Sequence, residues 1–412
     1  MFPSLRILLT ILFATGFCVP LVDDAGMRFA NAVESAAVGA VEKESNSRAA
    51  SAEDVPEENS AATEQVALLE RPQSSVLAAS EPVISGADIA VLPTDTMDIE
   101  AMDTGSVDTA TVDTATGELA CLPDRVFLIS THHLAHDACC ASLENPAFRI
   151  WKMECNRFQA IDLATYESML TPERTVVIYV HGNRIEFDES IERGNSVRRR
   201  VRACRQGGPV DWVIFSWPSA REGLGLRDFR EKADRCDAQG LYLAWFLRRH
   251  ITASLPVAMI GYSFGGRVAT GALHALAGGH LGGRKLPQPT ITGAEVRLGL
   301  VAPALGSGWL SQCGKHRLAT QNMAKMVLMY NRRDAVLKRY WLVEKIRHET
   351  ALGFSGPTTF APRFDGSRLP VKSRDCSPSV RIRHVELDYY NSRCRAGLDF
   401  AQMIQATEPM EF

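Results

Sequence analysis

Val257-Ala-Met-Ile-Gly-Tyr-Ser-Phe-Gly-Gly266 is the stretch on which the fold turns. Residues 257–260 are an apolar run that reads as a strand, and residues 267–277 read as a helix. Between them Gly261-Tyr262-Ser263-Phe264-Gly265 makes a sharp turn with a serine at its apex. Such a turn is strained, and a Cβ at either flanking glycine would crowd the neighbouring strand and helix. The context marks Ser263 as a candidate nucleophile. The plainer reading is a glycine-rich strand-to-helix turn with no chemistry.

Working outward, residues 175–180 form a β-branched run expected to be a strand buried on both faces. It ends in His181-Gly182-Asn183-Arg184. Residues 211–216 are a second such strand, closed by Trp217-Pro218-Ser219, and residues 125–130 are another. Past the serine come strands at 296–301 and 326–330, and a last one is expected from Val380 into Ile382. Helical stretches lie at 189–204 and 231–250, with a closing helix within 397–406. Strands alternating with helices require crossover connections, hence an α/β fold with a mainly parallel sheet and helices on both faces. In such sheets the ligand site lies beyond the carboxyl ends of the strands.

A serine hydroxyl is a weak nucleophile until a base takes its proton, and the base needs an acid to hold its tautomer. Ser263 therefore implies an acid after a later strand and a histidine after that. Asp334 follows the strand ending at Tyr330; its plainer role is an N-cap for the segment that follows. Only His348 and His384 come after Asp334. Position favours His384, after the last expected strand, over His348, in an apparent helix end. The oxyanion donors are expected to be the backbone N–H of Phe264 and that of Asn183 in the His-Gly loop. His181 precedes the serine and is read as structural. The stretch after the strand ending at Val301 is modest (302–325), which points to an open site.

Other clusters have plainer readings. His132, His133, His136, Cys139 and Cys140 sit close together, but their spacing matches no standard zinc set. They are expected to form a polar loop with buried or disulfide-bonded cysteines, so neither a metal nor a cofactor is implied. The run Arg198-Arg199-Arg200 is read as a solvated helix face. The net charge of −3 hides an acidic first third and a more basic remainder, and no basic stretch carries a nucleic-acid reader pattern.

The N-terminus reads as an export signal over residues 1–32. Arg6 is followed by an apolar stretch ending at Val22, and Ala30-Asn31-Ala32 offers a cleavage site. An uncleaved anchor is the alternative; export puts the protein in or beyond the cell envelope, and an anchor would hold it close to a membrane. Residues 33–120 are acidic and rich in Ala, Ser and Thr, with the repeat Val107-Asp-Thr-Ala then Val112-Asp-Thr-Ala. That composition buries too little apolar surface to fold and reads as a disordered linker. The folded domain is expected over 121–412. An oxidising compartment would permit disulfides among the 10 cysteines, Cys18 leaving with the signal.

The order VIYVHGN, VIFSWPS, IGYSFGGRV, MYNRRD and then Ala351-Leu-Gly-Phe-Ser-Gly-Pro357 resembles a bacterial branch of the alpha/beta-hydrolase superfamily, many of whose members are uncharacterised. The resemblance implies a triad of Ser263, Asp334 and His384, and hydrolysis of an ester, thioester or amide of a small-molecule or acyl substrate. Residues 383–390 are the stretch that suits the family's histidine. The fold also hosts non-catalytic members, so a surface binding or scaffold protein is the rival expectation. Acyl transfer or haloperoxidase-like chemistry on the same triad is a third.

Overall fold

The computed structural model describes residues 123–223, 225–344 and 349–405. The expected signal and linker, Cys18, Cys121 and His348 lie outside the described residues. Among those described, no helix is long and apolar enough to cross a membrane.

Nine strands form one sheet. In chain order they begin with β1 (Arg125–Ser130), β2 (Arg149–Glu154) and β3 (Arg157–Ile161). The middle strands are β4 (Thr175–Val180), β5 (Val210–Ser216) and β6 (Val257–Tyr262). The last are β7 (Val296–Val301), β8 (Met323–Tyr330) and β9 (Val371–Asp375). The sheet order is β3-β2-β1-β5-β4-β6-β7-β8-β9. Pairing is parallel from β1 through β9, and only the β1–β2 and β2–β3 pairs are antiparallel.

The helices are α1 (Leu163–Met169), α2 (Phe187–Ala203), α3 (Gly225–Thr252) and α4 (Phe264–Leu276), then the one-turn α5 (Trp341–Glu344), α6 (Leu352–Ser355) and α7 (Ser377–Val380), and the closing α8 (Ala396–Gln405). α3 packs along α4, while α2 packs on α8.

Two departures from the sequence reading are informative. The last strand is not at 380–382. β9 ends at Asp375, and residues 377–380 are the turn of helix α7, with Pro378 in its first turn. Arg381 then takes φ 58°, which closes that turn and breaks any extended run. The alternation Val-Arg-Ile-Arg imitates a half-buried strand, yet Ile382 is exposed. The hairpin of β2 and the edge strand β3 is a further difference, because neither Arg-Ile-Trp-Lys-Met-Glu nor Arg-Phe-Gln-Ala-Ile has a continuous apolar run.

At the amino ends of the parallel strands, buried Asp211 accepts two bonds from Arg125 (2.7 and 2.6 Å) and one from Arg174 (2.8 Å). The opposite, carboxyl end is where the candidate residues gather.

Candidate active site

The elbow is built by close backbone approach. Ser263 sits at φ 50°, ψ −118°, in the left-handed region that L-residues seldom occupy. A Cβ on Gly265 would lie 2.1 Å from the Val180 carbonyl, and one on Gly261 would lie 2.8 Å from the Gly265 carbonyl. Both flanking glycines are therefore demanded by sterics. The turn is pinned to the neighbouring strand. Ser263 N–H donates to Val301 O (3.0 Å), and Ala304 N–H donates to Ser263 O (3.0 Å).

His384 lies 121 positions from Ser263 in sequence, yet its Nε2 is 2.9 Å from Ser263 Oγ. Its Nδ1 is 2.7 Å from Asp334 Oδ2. With Nδ1 donating to the carboxylate, Nε2 is left to accept from the serine hydroxyl. Asp334 is fully buried, and Ser263 is nearly so. The aspartate serves in both ways the sequence had set against each other. Its Oδ1 accepts from the N–H groups of Val336 and Leu337, each at 2.9 Å, while Oδ2 faces the imidazole. The cap thus fixes the carboxylate plane.

The loop carrying His384 is held from below. Tyr262, the residue before the serine, donates its phenol to His384 O (3.0 Å) and stacks on the imidazole at 5.3 Å between centroids. Asn331 Nδ2 donates to Arg381 O (2.7 Å). Tyr179 donates to Glu386 (2.7 Å). Glu386 is wholly buried, and burial pushes its carboxyl up to about 7, against the opposing pull of Tyr179 and Arg193. His384 therefore sits in a turn between α7 and the 3₁₀ segment Glu386–Tyr390, several residues past β9. It is neither in a strand nor directly after one.

The two expected oxyanion donors flank the same space. Phe264 is the first residue of α4, where the helix N-terminus leaves N–H groups free and the dipole favours negative charge. Asn183 lies on the loop after β4, beside the elbow. Among the described residues neither backbone N–H has an internal partner. The side-chain nitrogen and oxygen of Asn183 are likewise buried and unpartnered. Gly182 permits the approach, since a Cβ there would meet Tyr262 at 2.8 Å. His181 is structural, as expected. It is fully buried, its Nδ1 donates to Gly182 O (2.9 Å) and its Nε2 accepts from Trp217 N–H (3.1 Å). Burial lowers it to about 3, so it stays neutral.

A cavity of about 420 Å³ opens on Ser263, Phe264, Asn183 and His384. Its walls are mostly apolar: Leu226 and Phe229 from α3, and Val336, Leu337, Tyr340 and Val343 from the segment after β8. The modest stretch after β7 contributes only Ala304, so the walls come from elsewhere than the place where a cap was sought. Arg184 spans two walls, with its guanidinium 4.2 Å above the Phe229 ring and 3.3 Å from buried Asp228. Arg230 donates to Leu342 O at 2.9 Å, and buried Arg267, next to the elbow, pairs with Glu344. These ties hold the short α5 over the pocket. The sequence reading missed Tyr262, Arg184 and this wall. The apolar run from Tyr340 to Val343, close behind the acid, was the available signal.

The histidine-rich loop is turned to other tasks. His132 Nε2 meets Ser216 Oγ (3.1 Å), His133 Nε2 meets Ala147 O (2.6 Å) and His136 Nε2 meets His132 O (3.3 Å). Cys139 and Cys140 are exposed free thiols, not the buried or bridged pair expected, because the short 3₁₀ turn Ala138–Cys140 buries Ala138 and leaves the two cysteines on the surface. Among the described residues no group of three or more His, Cys, Asp or Glu is placed to hold a metal.

A family model described as "Alpha/beta hydrolase of unknown function (DUF900)" matches residues 164–339, a span that includes Asn183, Ser263 and Asp334. A comparison with curated proteins returned no match. Among solved structures the chain is similar to a phosphonate-inhibited esterase B from Lactobacillus rhamnosis, at 13% identity and TM-score 0.31, covering 69% of this chain and 86% of that one. It is also similar to the Francisella virulence factor BioJ, at 15% identity and TM-score 0.31, covering 64% and 82%. A third is carboxyl esterase 2 from Tuber melanosporum, at 11% identity and TM-score 0.28, covering 63% and 83%. The parallel sheet and the serine elbow are those of the alpha/beta-hydrolase fold, and the chain is similar to that hydrolase family over a stretch that covers less than half of its length.

Proposed function

We propose that the protein is a serine hydrolase of ester-type bonds that works through an acyl-enzyme. The observation that carries this reading is the imidazole of His384, 2.9 Å from Ser263 Oγ on one side and 2.7 Å from Asp334 Oδ2 on the other. In this reading His384 Nε2 takes the serine proton as Oγ attacks the acyl carbonyl. Asp334 orients the ring and stabilises the imidazolium that forms. The oxyanion gathers the N–H groups of Phe264 and Asn183. Nε2 then gives its proton to the leaving group, and the acyl group stays on Oγ. Water, deprotonated by the same nitrogen, releases the acid and restores the serine. The cavity suits an acyl chain, since Leu226, Phe229, Val336, Leu337 and Val343 give it apolar walls.

A fluorophosphonate probe tests the reading, because it reacts with an activated serine and needs no knowledge of the substrate. Wild type should label, and Ser263→Ala should not. Labelling that persists in Ser263→Ala removes the nucleophile assignment. Absence of labelling in folded wild type favours the rival reading, a binding protein on a hydrolase fold. Full turnover by His384→Ala would move the base to His348. Export is part of the proposal and rests on the N-terminal apolar stretch with its flanking Arg6. N-terminal sequencing of the protein recovered from its native host tests it; an intact Met1 on cytosolic material would overturn it.

A further inference from the structure

Six large apolar side chains are exposed among the described residues; two of them line this cavity and three more lie next to its lining residues in the chain or are hydrogen-bonded to one, so that five gather about its mouth. Leu226 (41% exposed) and Val336 (46%) line it directly. Trp341 (43%) stands on α5 beside the lining residues Leu342 and Val343. Ile382 (68%) accepts from Ala335 N–H, another lining residue, through its carbonyl, and Val385 (41%) follows His384. Singly exposed apolar residues need no explanation, but a ring of them around one opening marks a contact surface.

The same ring is cationic. Arg333, Lys338, Arg339 and Arg381 are exposed on the segments that bear these side chains, and none has a carboxylate within 4 Å among the described residues. Arg227, Arg332 and Arg383 add to the ring with partners: Glu231 at 2.9 Å, Asp375 at 4.0 Å and Asp388 at 3.0 Å. The acids that could balance the unpaired cations are turned inward, with Asp334 and Glu386 both fully buried. A surface that is apolar at its tips and basic between them is complementary to one kind of partner. A bilayer with anionic headgroups accepts the apolar tips in its interface and the cations at its phosphates. An exposed tryptophan is the side chain most at home at that depth. An acidic peptide would satisfy the arginines but leave Trp341 and Ile382 in water.

We propose that the mouth of the cavity docks on an anionic lipid surface. The docking stands on exposure and charge alone. Its consequence, that acyl esters enter the cavity from that surface, rests on the serine-hydrolase reading.

The test uses the full chain carrying Ser263→Ala, so that it does not depend on turnover. Binding is measured by sedimentation with vesicles of phosphatidylcholine alone and of phosphatidylcholine with an equal part of phosphatidylglycerol. The expected result is partitioning on the mixed vesicles about tenfold or more above the neutral ones, collapsing in high salt. Arg333→Glu with Lys338→Glu should lower it on the order of tenfold, and Trp341→Ala should weaken it while leaving the salt dependence. Urea midpoints equal to the parent's show that the variants fold. Absence of binding, or equal binding to both vesicle types, overturns the proposal. So does concentration-dependent self-association that Trp341→Ala abolishes without any vesicle binding, because the ring would then be covered by a second copy. A labelling failure in the hydrolase test leaves this result untouched, and a vesicle failure leaves the hydrolase reading untouched.

Discussion

Tyr179 donates its phenol to Glu386 across 2.7 Å, and this joins the central strand β4 to the loop that presents His384. The contact is wholly buried, so the carboxyl is held in its protonated range up to about 7 instead of the ordinary 4.5. A carboxyl raised on folding contributes stability that is complete below about 4.5 and is lost as pH rises through about 7. Glu386→Gln keeps an acceptor for Tyr179 but cannot ionise. It should be more stable than wild type by roughly 1–3 kcal/mol at about pH 9, with the gap closing at about pH 5. Urea unfolding at the two pH values checks this. Parallel stability curves would show that Glu386 is not buried in this way.

Asp334 carries two separable duties, and two substitutions should separate them. Asp334→Asn retains an oxygen for the N–H groups of Val336 and Leu337 but presents the wrong partner to His384 Nδ1. It should lower kcat by about 10³–10⁴-fold at near-native stability. Asp334→Ala should lose the same activity and also about 1–2 kcal/mol, the worth of a cap. Ester hydrolysis and thermal unfolding measured on both variants would expose any other division.

Gly265 has no room for a methyl group, because its Cβ would stand 2.1 Å from the Val180 carbonyl, which is backbone and cannot swing away. Gly265→Ala should therefore push the elbow off β4, costing about 1–3 kcal/mol or more and abolishing probe labelling. By contrast Gly208→Ala, which meets nothing within 4 Å, should leave both unchanged. Equal behaviour of the two variants would contradict the elbow geometry.

The cavity walls predict a chain-length series. Each methylene buried against Leu226, Phe229 and Val343 should raise kcat/KM about fourfold, from roughly 0.8 kcal/mol per CH₂, until the space is filled. A set of nitrophenyl esters of increasing acyl length measures the slope. Val343→Trp should move the optimum to shorter chains. A flat series would place the acyl group outside this cavity.

The sequence by itself determined the elbow, the buried strands and the alternation with helices. These are local signals: β5 and β6 are buried throughout and β4 from Val176 on, so each carries a run of apolar residues. It also nominated Ser263, Asp334 and Asn183, because each follows such a run. Edge elements were not legible. β9, Val-Lys-Ser-Arg-Asp, pairs with one neighbour only, so its sequence carries charge where a central strand carries valine. The exposed Val-Arg-Ile-Arg alternation stood in its place. Only the tertiary structure decided where His384 points. That depends on Tyr179, Tyr262 and Asn331, which hold its loop from three separate parts of the chain. Only the fold, too, decided that the segment behind Asp334 walls a cavity and turns its remaining apolar and basic side chains outward around the mouth. Periodicity reports which face of an element is buried, but which loops meet at the end of a sheet follows from strand order, and strand order is set by burial of the whole domain at once.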